Sequence, residues 1–228
     1  MEFIIISFIV VVTIVVLKYV FDYNTKILKH IGENDELDEL AKKYPSNTEM
    51  CKEYLKMLNN EKVKIEENNE AKSSLYIAIT NKIIIANIQK SYTRIQTIAH
   101  ECLHSIQNRK LLLFNFIFSN IYLLYFIIAC ILVILRIPYK TTLLSILFIF
   151  SMVYYMVRVY LENDAMIKAR FLAKEYMENK RISSKEEIEK FVKEFDRINS
   201  VGIKSINYNL FLEMMIKILI FTALCFII

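Results

Sequence analysis

The apolar residues of this chain are concentrated in four long runs instead of recurring at the spacing of an amphipathic helix. Each run is near or above the roughly 20 residues that a helix needs to cross a bilayer. The pattern therefore predicts four transmembrane helices. They lie in the runs Phe3 to Leu17, Leu111 to Ile137, Leu143 to Leu161 and Leu210 to Ile228.

The first run has two interpretations, a secretory signal peptide or a membrane anchor. It has Glu2 where a signal peptide carries a basic residue, and no small-residue cleavage site precedes Lys18. The sequence therefore favours an uncleaved anchor. The second and third runs are separated by Pro138, Tyr139 and Lys140 alone, which predicts a transmembrane hairpin with a tight turn.

The basic residues lie almost entirely in the two polar stretches 18–110 and 162–208. The positive-inside rule therefore predicts that both stretches face the cytoplasm, where they can meet. The net charge of +5 does not indicate nucleic-acid binding, because the basic residues alternate with Glu and form no Arg or aromatic cluster. The scattered cysteines predict free thiols and not a disulfide framework.

The polar stretch 18–110 contains a predicted β-hairpin and one motif that carries chemistry. Two β-branched runs, Leu75 to Thr80 and Ile83 to Ile88, are separated by Asn81 and Lys82, which predicts the hairpin. Further along, residues 97–109 read TIAHECLHSIQNR and contain HExxH. An exposed strand of such a hairpin is able either to take up an extended peptide by strand addition or merely to cover the motif helix.

The HExxH motif consists of His100, Glu101 and His104, and it uses two of the three histidines in the chain. Residues four apart share one face of a helix, so both imidazoles can bind one zinc ion while Glu101 lies beside the water on the metal. The alternative is a pair of ordinary surface histidines. The half-apolar sequence around the motif favours the metal site.

A catalytic zinc ion takes three protein ligands and leaves one position open for water. The third apolar run ends with Glu162 and Asp164, which are alternatively a simple helix-end cap. Residues two apart on a helix point about 200° away from each other, so only one of them can face the ion. Glu162 shares a face with Ala165, Ala169 and Ala173, which permit close approach of a second helix. We expect Glu162 to be the ligand and Asp164 to support a ligand histidine.

Several segments of the chain resemble the YugP-like membrane zinc metallopeptidases of bacteria. They are the N-terminal anchor, the helix-then-strand segment TEMCKEYLKMLNNEKVKIEE, the hairpin, AHECLHSIQ with Gln107, and ENDA followed by Ala169. The chain departs from the family pattern at Leu103, where Gly is usual, and in its short linker after Gln107. The resemblance implies a metal-dependent endopeptidase, points to Glu162 as third ligand, and makes Gln107 a further candidate to support the ligands.

The predicted fold is mostly α and integral to the membrane, with four transmembrane helices, a zincin-like HExxH helix and a small β-hairpin at the membrane surface. The expected segments are the anchor (1–21), a soluble loop with the hairpin and the HExxH helix (22–110), a transmembrane hairpin (111–161), a soluble helical segment that completes the metal site (162–208) and a C-terminal transmembrane helix (209–228).

The predicted function is that of a zinc metalloendopeptidase in the bacterial cell membrane, with its active site facing the cytoplasm. His100, His104 and Glu162 are expected to hold Zn²⁺, and Glu101 is expected to be the general base. The expected partners are the lipid bilayer and a membrane-proximal peptide or protein, not nucleic acid. The sequence indicates no oligomeric state.

Other functions are open to the same sequence. The main alternative is a non-catalytic, zinc-binding membrane scaffold or regulatory protein. An intramembrane protease is disfavoured because polar residues such as Arg94 and Gln96 flank the motif and predict a helix at the membrane surface. A transporter is disfavoured because the apolar runs hold few polar residues beyond Arg158, Glu213 and Lys217.

Overall fold

The structure, a computed structural model, describes residues 1–24, 27 and 30–228. It is mostly helical, with a small sheet, as the sequence predicts. The helices are α1 (Glu2–Val20), α2 (Asp35–Ala41), α3 (Asn47–Met57), α4 (Arg94–His104), α5 (Arg109–Ile134), α6 (Lys140–Lys180) and α7 (Lys185–Ile227). The strands are β1 (Lys64–Glu67), β2 (Leu75–Ile77) and β3 (Lys82–Ile85).

The chain forms two compact units. Unit 1 consists of Met1–Tyr23, Leu113–Tyr160 and Lys204–Ile228. Unit 2 consists of Asn24–Leu112 and Leu161–Ile203.

Among the described residues, four helices are long and apolar enough to cross a membrane, namely α1, α5, α6 and α7. This confirms the four apolar runs as helices of that length and composition. Helices α1 and α5 begin and end within a few residues of the predicted bounds, whereas α6 and α7 are about twice as long as the apolar runs within them. Most of the added residues lie in unit 2. The continuation of α6 as far as Ala173 was predicted and is confirmed, whereas hydropathy alone did not reveal that α7 begins well before its apolar run.

Unit 1 is held together by apolar packing and a few hydrogen bonds between its helices. Ser7 donates to Thr222 across 2.8 Å, and the hydroxyls of Tyr122 and Ser151 are 2.9 Å apart. Many of its large apolar side chains point outward, as Phe8 does with 68% of its surface exposed. Such a surface is typical of a protein surrounded by lipid.

The charged pair of unit 1 lies on α7. The ammonium of Lys217 is 2.6 Å from Oε1 of Glu213, and Tyr154 donates to Oε2 of Glu213 across 3.0 Å. Lys217 also lies over the ring of Tyr122, 4.5 Å from its centroid. These contacts join α5, α6 and α7.

The sheet of unit 2 has the strand order β1-β3-β2. β2 and β3 form the predicted antiparallel hairpin, although both strands are shorter than the predicted runs. Asn81 takes a left-handed conformation with φ of 49° at the end of the turn, which Asn tolerates better than most residues. β1 pairs with β3 in parallel, so β3 is the central strand and β2 lies at an edge.

The core of unit 2 surrounds α4, which packs on α3, β2 and β3. Its buried apolar side chains share one cluster with small residues of α6. Ala165, Ala169 and Ala173 of α6 are all fully buried there. Small side chains on this face let the backbone of α6 approach the other helices of the core closely.

Arg94, at the N-terminal end of the motif helix, is a charged residue inside the core of unit 2. It is 0% exposed. Its guanidinium donates to the carbonyl oxygens of Ala41, Tyr44 and Pro45 and to Oδ1 of Asn47. Ala41 ends α2, and Tyr44 and Pro45 follow it outside any helix, so the five N–H groups of an Arg side chain suit this cluster of acceptors.

Candidate metal centre

The two histidines of the HExxH motif lie one turn apart on α4, and their rings converge. The Nε2 atoms of His100 and His104 are 3.0 Å apart. The rings meet edge to face, with an angle of 87° between their planes. A helix with this spacing thus presents two imidazole nitrogens to one point.

Glu162 on α6 completes a triangle with the two imidazoles. Its Oε2 atom is 3.6 Å from Nε2 of His100 and 3.6 Å from Nε2 of His104. In the part of the chain that the structure describes, these three residues are the one group of His, Cys, Asp or Glu side chains close enough to share a metal ion.

The triangle matches the donor set and the size of a zinc site. Zinc–ligand distances near 2.1 Å in a tetrahedron separate neighbouring ligand atoms by about 3.4 Å. The observed separations of 3.0, 3.6 and 3.6 Å bracket that value. Two imidazoles and one carboxylate are also a ligand set that catalytic zinc sites use, with a fourth position left open.

Gln107, which follows the end of α4, contacts both His104 and α6. Its Oε1 lies 2.8 Å from Nδ1 of His104. Its Nε2 donates to the carbonyl oxygen of Leu161 across 2.8 Å and to Oδ2 of Asp164 across 3.1 Å. The side chain therefore joins the motif segment to the helix that carries Glu162.

Asp164 does not share the group formed by His100, His104 and Glu162. Its carboxylate contacts Gln107 and lies 2.6 Å from the ammonium of Lys168. Burial opposes its ionisation, but the hydrogen bonds from Lys168 and Gln107 outweigh this effect and lower the pKa of Asp164. The two acidic residues thus take different positions, as expected for residues two apart on a helix.

Glu101 lies in the protein interior beside the two histidines, with 6% of its surface exposed. Burial raises the pKa of its carboxyl group, an effect that nearby His100 and His104 partly offset. The backbone N–H of Tyr76 in β2 donates to the same carboxylate. A carboxyl group with a raised pKa accepts a proton more readily than one in water.

The pKa of His104 reflects two opposing effects. Burial disfavours the charged imidazolium, whereas the hydrogen bond and the negative charge of Glu162 favour it more strongly. The net result is a raised pKa for His104, with smaller contributions from Glu101 and Gln107. The site therefore concentrates negative charge around the imidazoles, which also attracts a cation.

Three backbone or loop contacts of the site have no obvious signal in the sequence. They are the N–H of Tyr76 at Glu101, the carbonyl oxygen of Leu161 at Gln107 and the side chain of Asn60, which donates to the carbonyl oxygen of Ser105 just beyond α4. The Asn pair at 59–60 does indicate a helix end, but it does not indicate which residue Asn60 contacts.

No known protein family, curated protein or solved structure matches this chain. The chemistry of the site therefore has to be derived from its own side chains.

Proposed function

We propose that this chain is a zinc metalloendopeptidase of the bacterial cell membrane. The observation that supports it best is the triangle of His100, His104 and Glu162 with the buried carboxylate of Glu101 beside it. A structural zinc site is usually closed by four protein ligands, whereas a catalytic site keeps one position open. A three-residue donor set therefore favours catalysis over a purely structural role.

The side chains divide the chemistry between them. When bound by His100, His104 and Glu162, zinc supplies a Lewis acid that polarises a peptide carbonyl and makes a water molecule more acidic. Glu101 takes a proton from the attacking water and returns it to the departing amine. Its burial and raised pKa suit both halves of this transfer.

The edge strand β2 offers a binding surface for the substrate. Among the described residues it pairs with β3 only, and the N–H of Tyr76 faces Glu101 on the other side. An extended peptide that lies along the rest of this edge passes next to the general base. Leu75 and Ile79 are exposed at either end of β2 and its turn, so we expect extended substrates with apolar side chains.

The proposed location follows from the four long apolar helices and from the distribution of basic residues. The bias of Lys and Arg towards the segments of unit 2 supports a site that faces the cytoplasm. The proposed substrates are then soluble or membrane-proximal segments on the cytoplasmic side.

Zinc content and cleavage measured on matched variants test the function. The purified wild-type chain is expected to hold about one zinc ion, and the double variant His100→Ala/His104→Ala none. The variant Glu101→Gln is expected to keep zinc and to lose cleavage of an unfolded protein mixture by a factor of about 10² to 10⁴. Glu70→Gln, an exposed position in the same unit, is the control and should retain both properties.

The same measurements separate this enzyme from a zinc-binding scaffold. A scaffold would hold zinc without cleaving any protein, and Glu101→Gln would then change nothing. A comparison of membrane proteins from cells that carry the wild-type chain or Glu101→Gln identifies natural substrates, which accumulate uncut with the variant. A wild-type chain without zinc after gentle extraction would overturn the proposal.

A further inference from the structure

The amide of Gln107 has only one orientation that satisfies its partners. Its NH₂ group faces the carbonyl oxygen of Leu161, which cannot donate, and the carboxylate of Asp164. A flipped amide would place Oε1 against two acceptors. The contacts to α6 therefore fix Oε1 towards His104.

This orientation determines where the proton of neutral His104 lies. The Oε1 atom of Gln107 carries no hydrogen, so Nδ1 of His104 has to donate to it across their 2.8 Å contact. A neutral imidazole has one N–H group, and Nε2 is then left with its lone pair. That lone pair belongs to the atom 3.0 Å from His100 Nε2 and 3.6 Å from Glu162 Oε2.

We propose that Gln107 is a positioning residue that sets the tautomer of His104 and ties the motif segment to the helix bearing Glu162. The proposal deepens, and rests on, the proposed zinc site. One side chain thereby makes two separable contacts, because Oε1 accepts from the imidazole of His104 and Nε2 donates to α6. Outer hydrogen-bond partners of this kind contribute about 10 to 100-fold to metal affinity.

The contact to α6 also reaches the third ligand. Leu161 immediately precedes Glu162, so a bond to the carbonyl oxygen of Leu161 fixes the backbone from which the Glu162 side chain starts. The second bond, to Asp164, is anchored in turn by the 2.6 Å contact between Asp164 and Lys168. Loss of the Gln107 amide should thus weaken the positioning of both His104 and Glu162.

The test uses ¹⁵N-labelled histidine in the full-length, metal-free chain, which has only three His. Spectra are recorded well above the usual imidazole pKa of about 6.5, so that the rings are neutral. The wild-type chain is expected to show His104 protonated at Nδ1. Zinc affinity is measured separately on the same samples by competition with a chelator.

Two substitutions separate the two tasks. Gln107→Leu removes both, so His104 should become a mixture of tautomers and zinc affinity should fall by about 10 to 100-fold. Gln107→Glu keeps an oxygen for Nδ1–H but removes the donors to α6, so the tautomer should persist while zinc affinity falls. Gln89→Leu is the matched control, because it removes the acceptor of a 3.2 Å bond from the Asn47 backbone and should change neither readout.

A wild-type His104 protonated at Nε2 would overturn the proposal without recourse to any variant. Unchanged tautomer and zinc affinity in Gln107→Leu would also overturn it. If that variant does not fold, loss of the Nδ1–H tautomer in Gln107→Glu decides against it equally well. The tautomer is measured without metal, so it does not depend on zinc binding or cleavage. A chain that holds no zinc or cleaves nothing would therefore refute the proposed function, while the tautomer of His104 could still be determined.

Discussion

The two units bury different kinds of polar side chain. The buried polar residues of unit 1 are Ser151, Ser205 and Thr222, all hydroxyls, whereas those of unit 2 are Asn47, Arg94, Gln96, Glu101 and Asn199. A hydroxyl can be satisfied within its own helix, as Ser151 is by the carbonyl oxygen of Leu147 at 2.7 Å. Amides and charged groups need partners on other elements.

This difference indicates which buried polar groups hold helices and loops in place relative to one another. In unit 2, Arg94 holds a loop that is remote in sequence, and the side chain of Asn199 on α7 contacts both Gln96 of α4 and the carbonyl oxygen of Met166 on α6. The polar interior of unit 2 thus fixes the relative placement of the elements that carry the site. Unit 1 relies on apolar packing and a few hydrogen bonds between its helices for the same purpose.

The largest expected effect concerns the orientation of the chain across the membrane, and it is all-or-none. The native thiols of unit 2, Cys51 and Cys102, are fully buried and cannot report on sidedness. We therefore expect an impermeant thiol reagent to label Tyr139→Cys in intact cells and Ser73→Cys only after the cells are disrupted, because both positions are exposed and the positive-inside rule puts them on opposite sides. Labelling of Ser73→Cys in intact cells would reverse the orientation.

The next largest effect is expected on zinc affinity. It concerns the two acidic residues of α6, Glu162 and Asp164, which contact different partners. Glu162→Gln is expected to lower zinc affinity more than 100-fold, because it weakens a direct ligand, whereas Asp164→Asn should lower it by about 10 to 100-fold through Gln107. Chelator competition measures both. If Asp164→Asn strips the metal while Glu162→Gln leaves it bound, the ligand assignment is wrong.

Arg94 tests the polar interior of unit 2 through stability. Arg94→Leu is expected to lower the free energy of unfolding by about 3 kcal/mol, because it leaves several buried acceptors without a donor. Arg170→Leu is the control, since this Arg pairs with Asp196 at the surface and such pairs contribute about 1 kcal/mol or less. Denaturant unfolding followed by circular dichroism compares them. Equal losses would contradict a special role for Arg94.

The smallest effect is expected at the charged pair of unit 1. Glu213→Gln keeps an acceptor for Tyr154 and loses only the ion pair with Lys217 on the same helix, so it should lower stability by about 0.5 kcal/mol or less. Tyr154→Phe removes the bond to Glu213 that Glu213→Gln retains and should lower stability by about 0.6 kcal/mol, the average for polar contacts between membrane helices. Unfolding in detergent measures both. A loss as large as that of Arg94→Leu would erase the difference between the units.

Local patterns predicted the helices of unit 1 and the hairpin well. Long apolar runs have few alternatives to a helix that crosses a membrane, so all four were found. The parallel strand β1 was not part of the predicted hairpin, because its pairing with β3 depends on contacts that are distant in sequence. The continuation of α6 was predicted as far as Ala173, whereas the length of α7 was missed, since its polar half carries no hydropathy signal.

The residues of the candidate site and their grouping were within reach of the sequence, but the contacts that surround them were not. HExxH spacing alone predicts that His100 and His104 converge, and helix geometry requires a choice between Glu162 and Asp164. The choice of Glu162 stays a prediction until zinc binding is measured. The burial of Arg94 was not predictable, because a lone Arg next to polar residues is usually solvated.

The ligands of the proposed site come from two distant parts of the chain, residues 100–104 and residue 162. A bound ion would therefore act as a removable cross-link that closes a long loop, and such links favour the folded state. At a free zinc concentration 100 times the dissociation constant, this linkage is worth about 2.7 kcal/mol. Zinc availability would then set the lifetime of the folded protein in the cell, as well as its capacity for turnover.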